Sequence, residues 1–499
     1  MIASSAGVLV GSFLTQGFFS LGFWVVDVLL LLAIASVVIV LATDDRDPST
    51  VLAWLFVVLL FPVLGIIAYF FIGRNFRRDS PRRRKIMAQM DAVAAESLEP
   101  VQAANTEFTE AAVTDLAGTP GAHIQSVGRT EGGVSPLPAD SVDIYTAGAQ
   151  KFPALLEEMA TAERYIHLMY LIWEQDELTA KVKEVLLDRL KAGVKVHILY
   201  DWLSCISYKK DELKELAAAG AVVMPCYKRV PQINYRNHMK MVIIDGKSVY
   251  SGGMNMGQEY IDGGPRFNVW RDTSFRLSGP VVAPYLMLYA STWLYNGGEE
   301  DLATGFMPPA EEHRRHEGIP VQVLHSSVQT TFKTIRDVFI TALLNARERI
   351  WIQSPYFVPD EPLITAMCAA AASGTDVRFM MTGVPDKKIP FNAAMAYYPQ
   401  LLRAGVKVYQ YKAGFLHAKT VTVDRQLSII GTCNWDIRSQ ILHDEVVSIF
   451  YDEGVATRYA EQYERDLEDC EQIATDFLQS LSRGQRFRNS VARLFSRLL

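Results

Sequence analysis

Cysteine is scarce in this chain and shows no pairing pattern. Five cysteines (Cys205, Cys226, Cys368, Cys433 and Cys470) occur in 499 residues, with no Cys-x-x-Cys spacing. Their odd number and scatter exclude a disulfide framework and a zinc ribbon, and they suit a reducing compartment. Charge is missing from the amino-terminal end. No Lys, Arg or Glu precedes Arg46, and Asp27 is the only acidic residue before Asp44. With no basic segment at its start and a second apolar run close behind, this region does not read as a cleavable signal peptide. The net charge of −6 gives no global attraction to nucleic acid. No group of His, Cys and carboxylate residues stands at metal-ligand spacing, so no metal is expected.

Apolar residues are abundant, at 49%. Phe23 to Ala42 is apolar apart from Asp27 and Ser36, and Val51 to Ile72 carries no charge. Each run has the length of about 20 residues that a helix needs to cross a bilayer core of about 30 Å. The segment Thr43–Thr50 between them has one Arg, whereas Arg74, Arg77, Arg78, Arg82, Arg83, Arg84 and Lys85 follow the second run. The positive-inside rule then puts the loop outside and everything after Gly73 in the cytoplasm. Residues 1–73 are therefore expected to be a two-helix membrane anchor. Residues 74–117 are expected to be a basic juxtamembrane segment and an Ala- and Glu-rich linker. At the other end, residues 477–499 carry Arg483, Arg486, Arg488, Arg493 and Arg497 and no acid. Phe487, Val491, Leu494, Phe495 and Leu498 recur there at helical spacing, as in a basic amphipathic helix lying on an anionic membrane surface.

The remainder contains an internal repeat. In the first copy a strand (Tyr165–Ile172), a helix (Glu177–Ala192), a strand (Val194–Asp201), a short helix (Leu213–Gly220) and a strand (Ala221–Tyr227) follow an amphipathic segment, Ala154–Thr161. The second copy runs helix Phe332–Arg347, strand Ile350–Val358, helix Glu361–Ser373, strand Val377–Thr382, helix Tyr398–Gly405 and strand Val406–Tyr411. Such alternation implies α/β layers on a largely parallel sheet. The expected fold is two similar α/β lobes, residues 118–303 and 318–476, related by a pseudo-twofold.

Each copy ends on the same residues. The first reads His238-Met-Lys240, then Asp245, then Gly252-Gly253-Met-Asn255; the second reads His417-Ala-Lys419, then Asp424, then Gly431-Thr432-Cys433-Asn434. The constant offset is 179 residues. One such pattern is weak, but two in equivalent frames are strong. His and Lys two apart on a strand share a face. Two lobes about a pseudo-twofold would bring both pairs to one cleft with two carboxamides, Asn255 and Asn434. Such a site suits a phosphodiester: cations and amides bind the non-bridging oxygens, one imidazole attacks phosphorus and the other protonates the leaving oxygen. Asp245 and Asp424 lie at an odd offset from their lysines and read as framework. Asp272, 34 residues after His238, and Glu445, 28 after His417, are the candidates to orient the imidazoles. His123, His167, His197, His313, His316, His325 and His443 lack the repeated frame and read as ordinary histidines.

The paired His-x-Lys-x-x-x-x-Asp motifs resemble those of the phospholipase D superfamily. Arg46-Asp-Pro-Ser-Thr-Val-Leu-Ala-Trp54, Phe61-Pro62-Val-Leu-Gly65, Gly73-Arg74-Asn75, Ser354-Pro-Tyr-Phe-Val-Pro-Asp-Glu361, Glu259-Tyr260 and the Arg-Leu-Phe-Ser-Arg-Leu-Leu ending are similar to bacterial cardiolipin synthases. His443 stands where that family usually has Asn, and Arg497 where Pro is common. The resemblance implies transfer of a phosphatidyl group between two phosphatidylglycerol molecules at the bacterial inner membrane, giving cardiolipin and glycerol. It further implies a phosphatidyl-histidine on His238, with His417 as acid and then base, and phosphatidylglycerol and anionic lipids as partners. A homo-oligomer is compatible with it. A hydrolytic phospholipase D, a tethered nuclease and an inactive scaffold are the competing readings, though all four His and Lys residues of the motifs are present.

Overall fold

The computed structural model describes residues 28, 31–39, 41, 48–69, 88–89, 92–94, 98–228, 234–298, 302 and 309–494. The basic run Arg74–Lys85, Asp27, most of the loop before Pro48, and Phe495, Arg497 and Leu498 lie outside these residues. Two compact units are present: residues 1–78 with 229–234, and residues 79–228 with 235–499.

In the first unit residues 31–39 are helical, and helices Pro48–Leu60 and Pro62–Ala68 follow. Val37, Leu41, Val58 and Tyr69 form its small core. The expected single helix over Val51–Ile72 is divided at Phe61, whose φ of −130° and ψ of 70° leave the helical region. Pro62 is the reason: proline disfavours α geometry in the residue before it and fits the first turn of the helix it starts. Among the described residues no helix is long and apolar enough to cross a membrane.

The second unit holds both copies of the repeat. In the first, the strand order is Ser141–Tyr145, Ser274–Ser278, Ser248–Gly252, Met241–Ile244, Tyr165–Tyr170, Lys195–Asp201, Val222–Cys226. The second repeats it as Ile319–Ser326, His443–Phe450, Leu427–Gly431, Thr420–Val423, Arg349–Gln353, Asp376–Thr382, Lys407–Tyr411, with Leu137–Ala139 and Cys470–Gln472 at the edges. The sheets are mixed rather than largely parallel. Strands joined through helices pair in parallel, whereas the motif strand pairs antiparallel with both neighbours. The cause is local. Asp245-Gly246 and Asp424-Arg425 have positive φ and close tight hairpins, and a tight turn can only join antiparallel strands. The strand expected over Ile350–Val358 divides at Ser354-Pro355 into Arg349–Gln353 and Phe357–Val358.

Helix Pro120–Gly132 and strand Leu137–Ala139 precede the first copy in sequence yet build the second lobe. The strand pairs with Ile319–Ser326, and Ile124 lies in the second lobe's core beside Leu324 and Phe339.

The lobes are tied together by buried polar contacts. Arg271, from the first copy, pairs with Asp466 on helix Glu453–Glu468 of the second at 2.8 Å, and both are nearly inaccessible. Gln353 also donates to Asp466, at 2.7 Å. Removing one partner of a buried pair leaves an uncompensated charge. Asp466→Ala is expected to destabilise the second unit by about 3–5 kcal/mol. Unfolding by heat or denaturant checks this, and an unchanged midpoint would show that the pair contributes nothing.

Candidate active site

Each motif histidine sits just beyond a short strand that crosses to the other lobe. Arg236–Asn237 pairs in parallel with His443–Asp444, and Phe415–Leu416 with Trp270–Arg271. The register continues into the site: His238 donates its backbone N–H to Asp444 at 3.0 Å, and His417 donates to Arg271 at 2.7 Å. The next residue along each opposing strand is a carboxylate. His238 Nδ1 therefore meets Glu445 at 2.8 Å, and His417 Nδ1 meets Asp272 at 2.7 Å. Asp272 and Glu445 are thus brought to the imidazoles, but each serves the histidine of the opposite copy rather than the one it follows in sequence. With Nδ1–H donated to a carboxylate, each ring leaves its Nε2 lone pair for chemistry.

The two carboxylates are held differently. Glu445 accepts from the hydroxyls of Thr432, at 2.5 Å, and Ser439. Asp272 accepts from the Thr273 backbone N–H at 2.7 Å and lies against Gly253, where a Cβ would come within 2.1 Å of its Oδ1. Gly253 is thus a glycine because the carboxylate occupies the space a side chain would take. Thr432 fills the equivalent place in the other copy with a donor.

Electrostatics follow the same division. Burial pushes the Glu445 carboxyl well up, against the opposing pull of Lys240. For Asp272 burial also raises, but Lys419 and His417 outweigh it and the carboxyl is held down. Burial and neighbouring lysines depress both imidazoles, His238 well below its ordinary range and His417 to about 4. Burial also lowers the ammonium groups of Lys240 to about 7 and Lys419 to about 8. Lys240 Nζ donates to the His238 carbonyl at 2.7 Å and Lys419 Nζ to that of His417. The site therefore gathers two imidazoles and two amines whose charged forms burial disfavours, and a bound anion would favour those charged forms.

The remaining motif residues divide by role. Asp245 accepts from the backbone N–H groups of Glu163, Arg164 and Tyr165, and Asp424 from those of Arg347, Glu348 and Arg349. Each pins the start of the central strand of its own lobe and stands away from the imidazoles. Asn255 and Asn434 are buried, and neither side-chain oxygen has a hydrogen-bond partner among the described residues. Asn255 donates to the Tyr260 hydroxyl at 2.8 Å.

Two residues were not legible as part of the site. Lys151 is buried, packs over the Phe152 and Tyr170 rings, and is lowered to about 7 by burial while Asp272 opposes the shift. His443, read as an ordinary histidine, has its ring centroid 5.6 Å from that of His238. One ring nitrogen each of His238 and His443 and one oxygen of Glu445 all lie within 4.8 Å of one another. The absence of any ligand cluster, inferred from spacing, is thereby corrected. The cluster spans two lobes, and its only sequence signal is the His443-x-Glu445 pair on one strand face.

Gly253→Ala is expected to push Asp272 off His417 and lower turnover by at least about 10-fold, in the range for losing an orienting partner. Turnover equal to that of the unmodified protein would show that the close contact has no bearing on His417.

The family model described as "Cardiolipin synthase, PLD-like domain" matches residues 155–264 and 339–467, and one described as "Phospholipase_D-nuclease N-terminal" matches residues 28–74. A cardiolipin synthase of Halalkalibacterium halodurans is 33% identical over 98% of this chain and 97% of its own length. The major cardiolipin synthase of Bacillus subtilis is 34% identical over 94% of this chain and 98% of its own. Among solved structures, the phosphatidylserine synthase of Haemophilus influenzae shares the fold, with a TM-score of 0.59 at 14% identity, over 75% of this chain and 97% of that one.

Proposed function

Because the chain belongs to the cardiolipin synthase family, we propose that it transfers a phosphatidyl group from one phosphatidylglycerol to the free glycerol hydroxyl of another, giving cardiolipin and glycerol. The observation that carries this reading is the pair of buried imidazoles, each held at Nδ1 by a carboxylate from the opposite lobe, beside two lysines. In the first half-reaction His238 Nε2 attacks phosphorus, and the bond from phosphorus to the glycerol oxygen breaks. His417 gives that oxygen its proton, and glycerol leaves. In the second half-reaction His417 takes the proton from the hydroxyl of the second phosphatidylglycerol. The new oxygen–phosphorus bond forms, the nitrogen–phosphorus bond breaks, and His238 recovers its lone pair.

The unequal carboxylates support this division of roles. Asp272 remains an anion beside His417, the ring that must carry an extra proton before the first half-reaction and again after the second. His238 needs only a free lone pair and a fixed tautomer, which a Glu445 pushed toward its neutral form by burial can still provide. The bound phosphodiester adds negative charge, favouring charged Lys240 and Lys419 and a protonated His417. In this reading the amide groups of Asn255 and Asn434 turn to the phosphate as donors when it binds, and Asp245 and Asp424 act only through the strands they pin.

A cytoplasmic position for the catalytic unit is supported by the basic residues that follow Gly73, and attachment to the bacterial inner membrane by the amino-terminal unit. Leu31, Leu32, Leu52, Phe56, Leu59 and Leu64 are exposed there, in the segment matched by the amino-terminal family model. At the other end, helix Arg483–Leu494 packs Asn489 and Ala492 inward, with Ala492 against Val358 and Ala393. The expected apolar stripe is only partly free: Val491 is half-buried, while Phe487 and Leu494 are 72% and 81% exposed. Phe487 and Leu494, ringed by arginines, are suited to anionic head groups.

His238→Ala is expected to abolish turnover. Labelled phosphatidylglycerol mixed with the unmodified protein and quenched in denaturant should leave a phosphatidyl adduct on His238. An adduct on His417 would reverse the roles. Phosphatidic acid in place of cardiolipin would establish the hydrolytic reading instead. The double substitution Phe487→Ser, Leu494→Ser is expected to lower activity several-fold on anionic vesicles and little on detergent-dispersed lipid. Equal loss in both media would show that these side chains do not meet lipid.

A further inference from the structure

His443 is unused by the reaction described above, although it stands beside His238 and Glu445, which the reaction does use. Glu445 sits between two imidazoles, with His238 Nδ1 at 2.8 Å and His443 Nδ1 at 3.7 Å from its Oε1. Two residues apart on one strand, His443 and Glu445 share a face, and the cross-lobe pairing of Arg236–Asn237 with His443–Asp444 sets His238 beside them. Neither ring nitrogen of His443 has a hydrogen-bond partner among the described residues, although both are shielded from solvent. A histidine enclosed without a partner, next to a second histidine and a carboxylate, has the donor set of a three-ligand zinc site. In a tetrahedral zinc site with bonds of about 2.0–2.1 Å, ligand atoms stand about 3.3 Å apart. Separations of 2.8 and 3.7 Å, within a group no wider than 4.8 Å, bracket that value.

We propose that His238, His443 and Glu445 form an inhibitory site for a borderline d-block divalent cation such as Zn2+. The surroundings select the kind of ion. Arg438, Arg236, Lys240 and Lys387 all act electrostatically on His443, and Lys240 acts on Glu445. These cationic groups oppose ions held mainly by charge, such as Mg2+ and Ca2+. They are overcome more readily by ions that make directional bonds to imidazole nitrogen. Inhibition follows from proton placement. In the active tautomer His238 carries its proton on Nδ1, facing Glu445, and keeps a lone pair on Nε2. A cation bonded at Nδ1 takes the place of that proton. The ring's single proton must then sit on Nε2, and the nucleophilic lone pair is gone. His443, 14% exposed against 9% for His238 and none for Glu445, is the ligand nearest solvent and the point of entry.

Binding stands apart from the reaction, and only the inhibition rests on His238 as nucleophile. The full chain in detergent, stripped of metal, is titrated with Zn2+ against a chromophoric chelator. One Zn2+ per chain is expected at this site, with His443→Asn weakening its affinity at least about 10-fold while the melting temperature is unchanged, and with no competition from Mg2+. Turnover of the unmodified protein should fall with Zn2+ and return on chelation. For His443→Asn, the Zn2+ needed to halve that variant's own rate should rise by a similar factor. Equal Zn2+ affinity in the two proteins, or no binding at micromolar Zn2+, would overturn the site. Binding that depends on His443 but leaves turnover untouched would uphold the site, overturn the inhibition and count against His238 as the attacking ring.

Discussion

An imidazole can act as nucleophile or as acid only if its second nitrogen is held, and here neither lobe holds its own. The backbone bonds from His238 to Asp444 and from His417 to Arg271 set the two halves in register, so that Glu445 and Asp272 fall opposite the rings. Much of the catalytic unit can be understood as support for that register. Asp245 and Asp424 fix the ends of the central strands by collecting backbone N–H groups. Arg271 is clamped by Asp466, which fixes the residue whose carbonyl receives the His417 N–H and whose neighbour is Asp272.

The repeat, its element order and the motif residues were all readable in the sequence. They depend on local periodicity and on spacing, which survive in one dimension. Three features were not. The choice of which carboxylate serves which histidine depends on strand pairing across the two copies, and position along the chain points to the wrong partner. His443 lies outside the repeated frame and joins the site only because its strand runs beside that of His238. The antiparallel half of each sheet was hidden because the hairpin at Asp245-Gly246 looks, in sequence, like any polar turn. Pro62 was visible in the chain, but hydropathy alone does not register the break it imposes at Phe61.

The two halves are alike in plan and unlike in detail at one informative place. Gly253 makes room for Asp272, whereas Thr432 adds a hydroxyl to Glu445. With Ser439 also donating to Glu445, one carboxylate sits in a hydroxyl cage, while the other packs against bare backbone beside Lys419 and His417. Burial raises the Glu445 carboxyl although Lys240 and both hydroxyls pull it down, whereas Lys419 and His417 outweigh burial at Asp272, so a nearly symmetric scaffold contains two chemically distinct histidines.

The reciprocal exchange of carboxylates bears on how such a molecule could arise. A protein made of one copy of the repeat would have a histidine and a carboxylate that cannot reach each other. It could complete both pairs at once by associating with a second copy about a twofold axis, the closed arrangement that a self-complementary surface favours. In that ancestor any substitution would appear twice, and the two rings would be bound to remain identical. Joining the copies in one polypeptide removes that restriction. A change such as glycine in one half and threonine in the other then alters a single ring, and attack and proton transfer can be tuned separately.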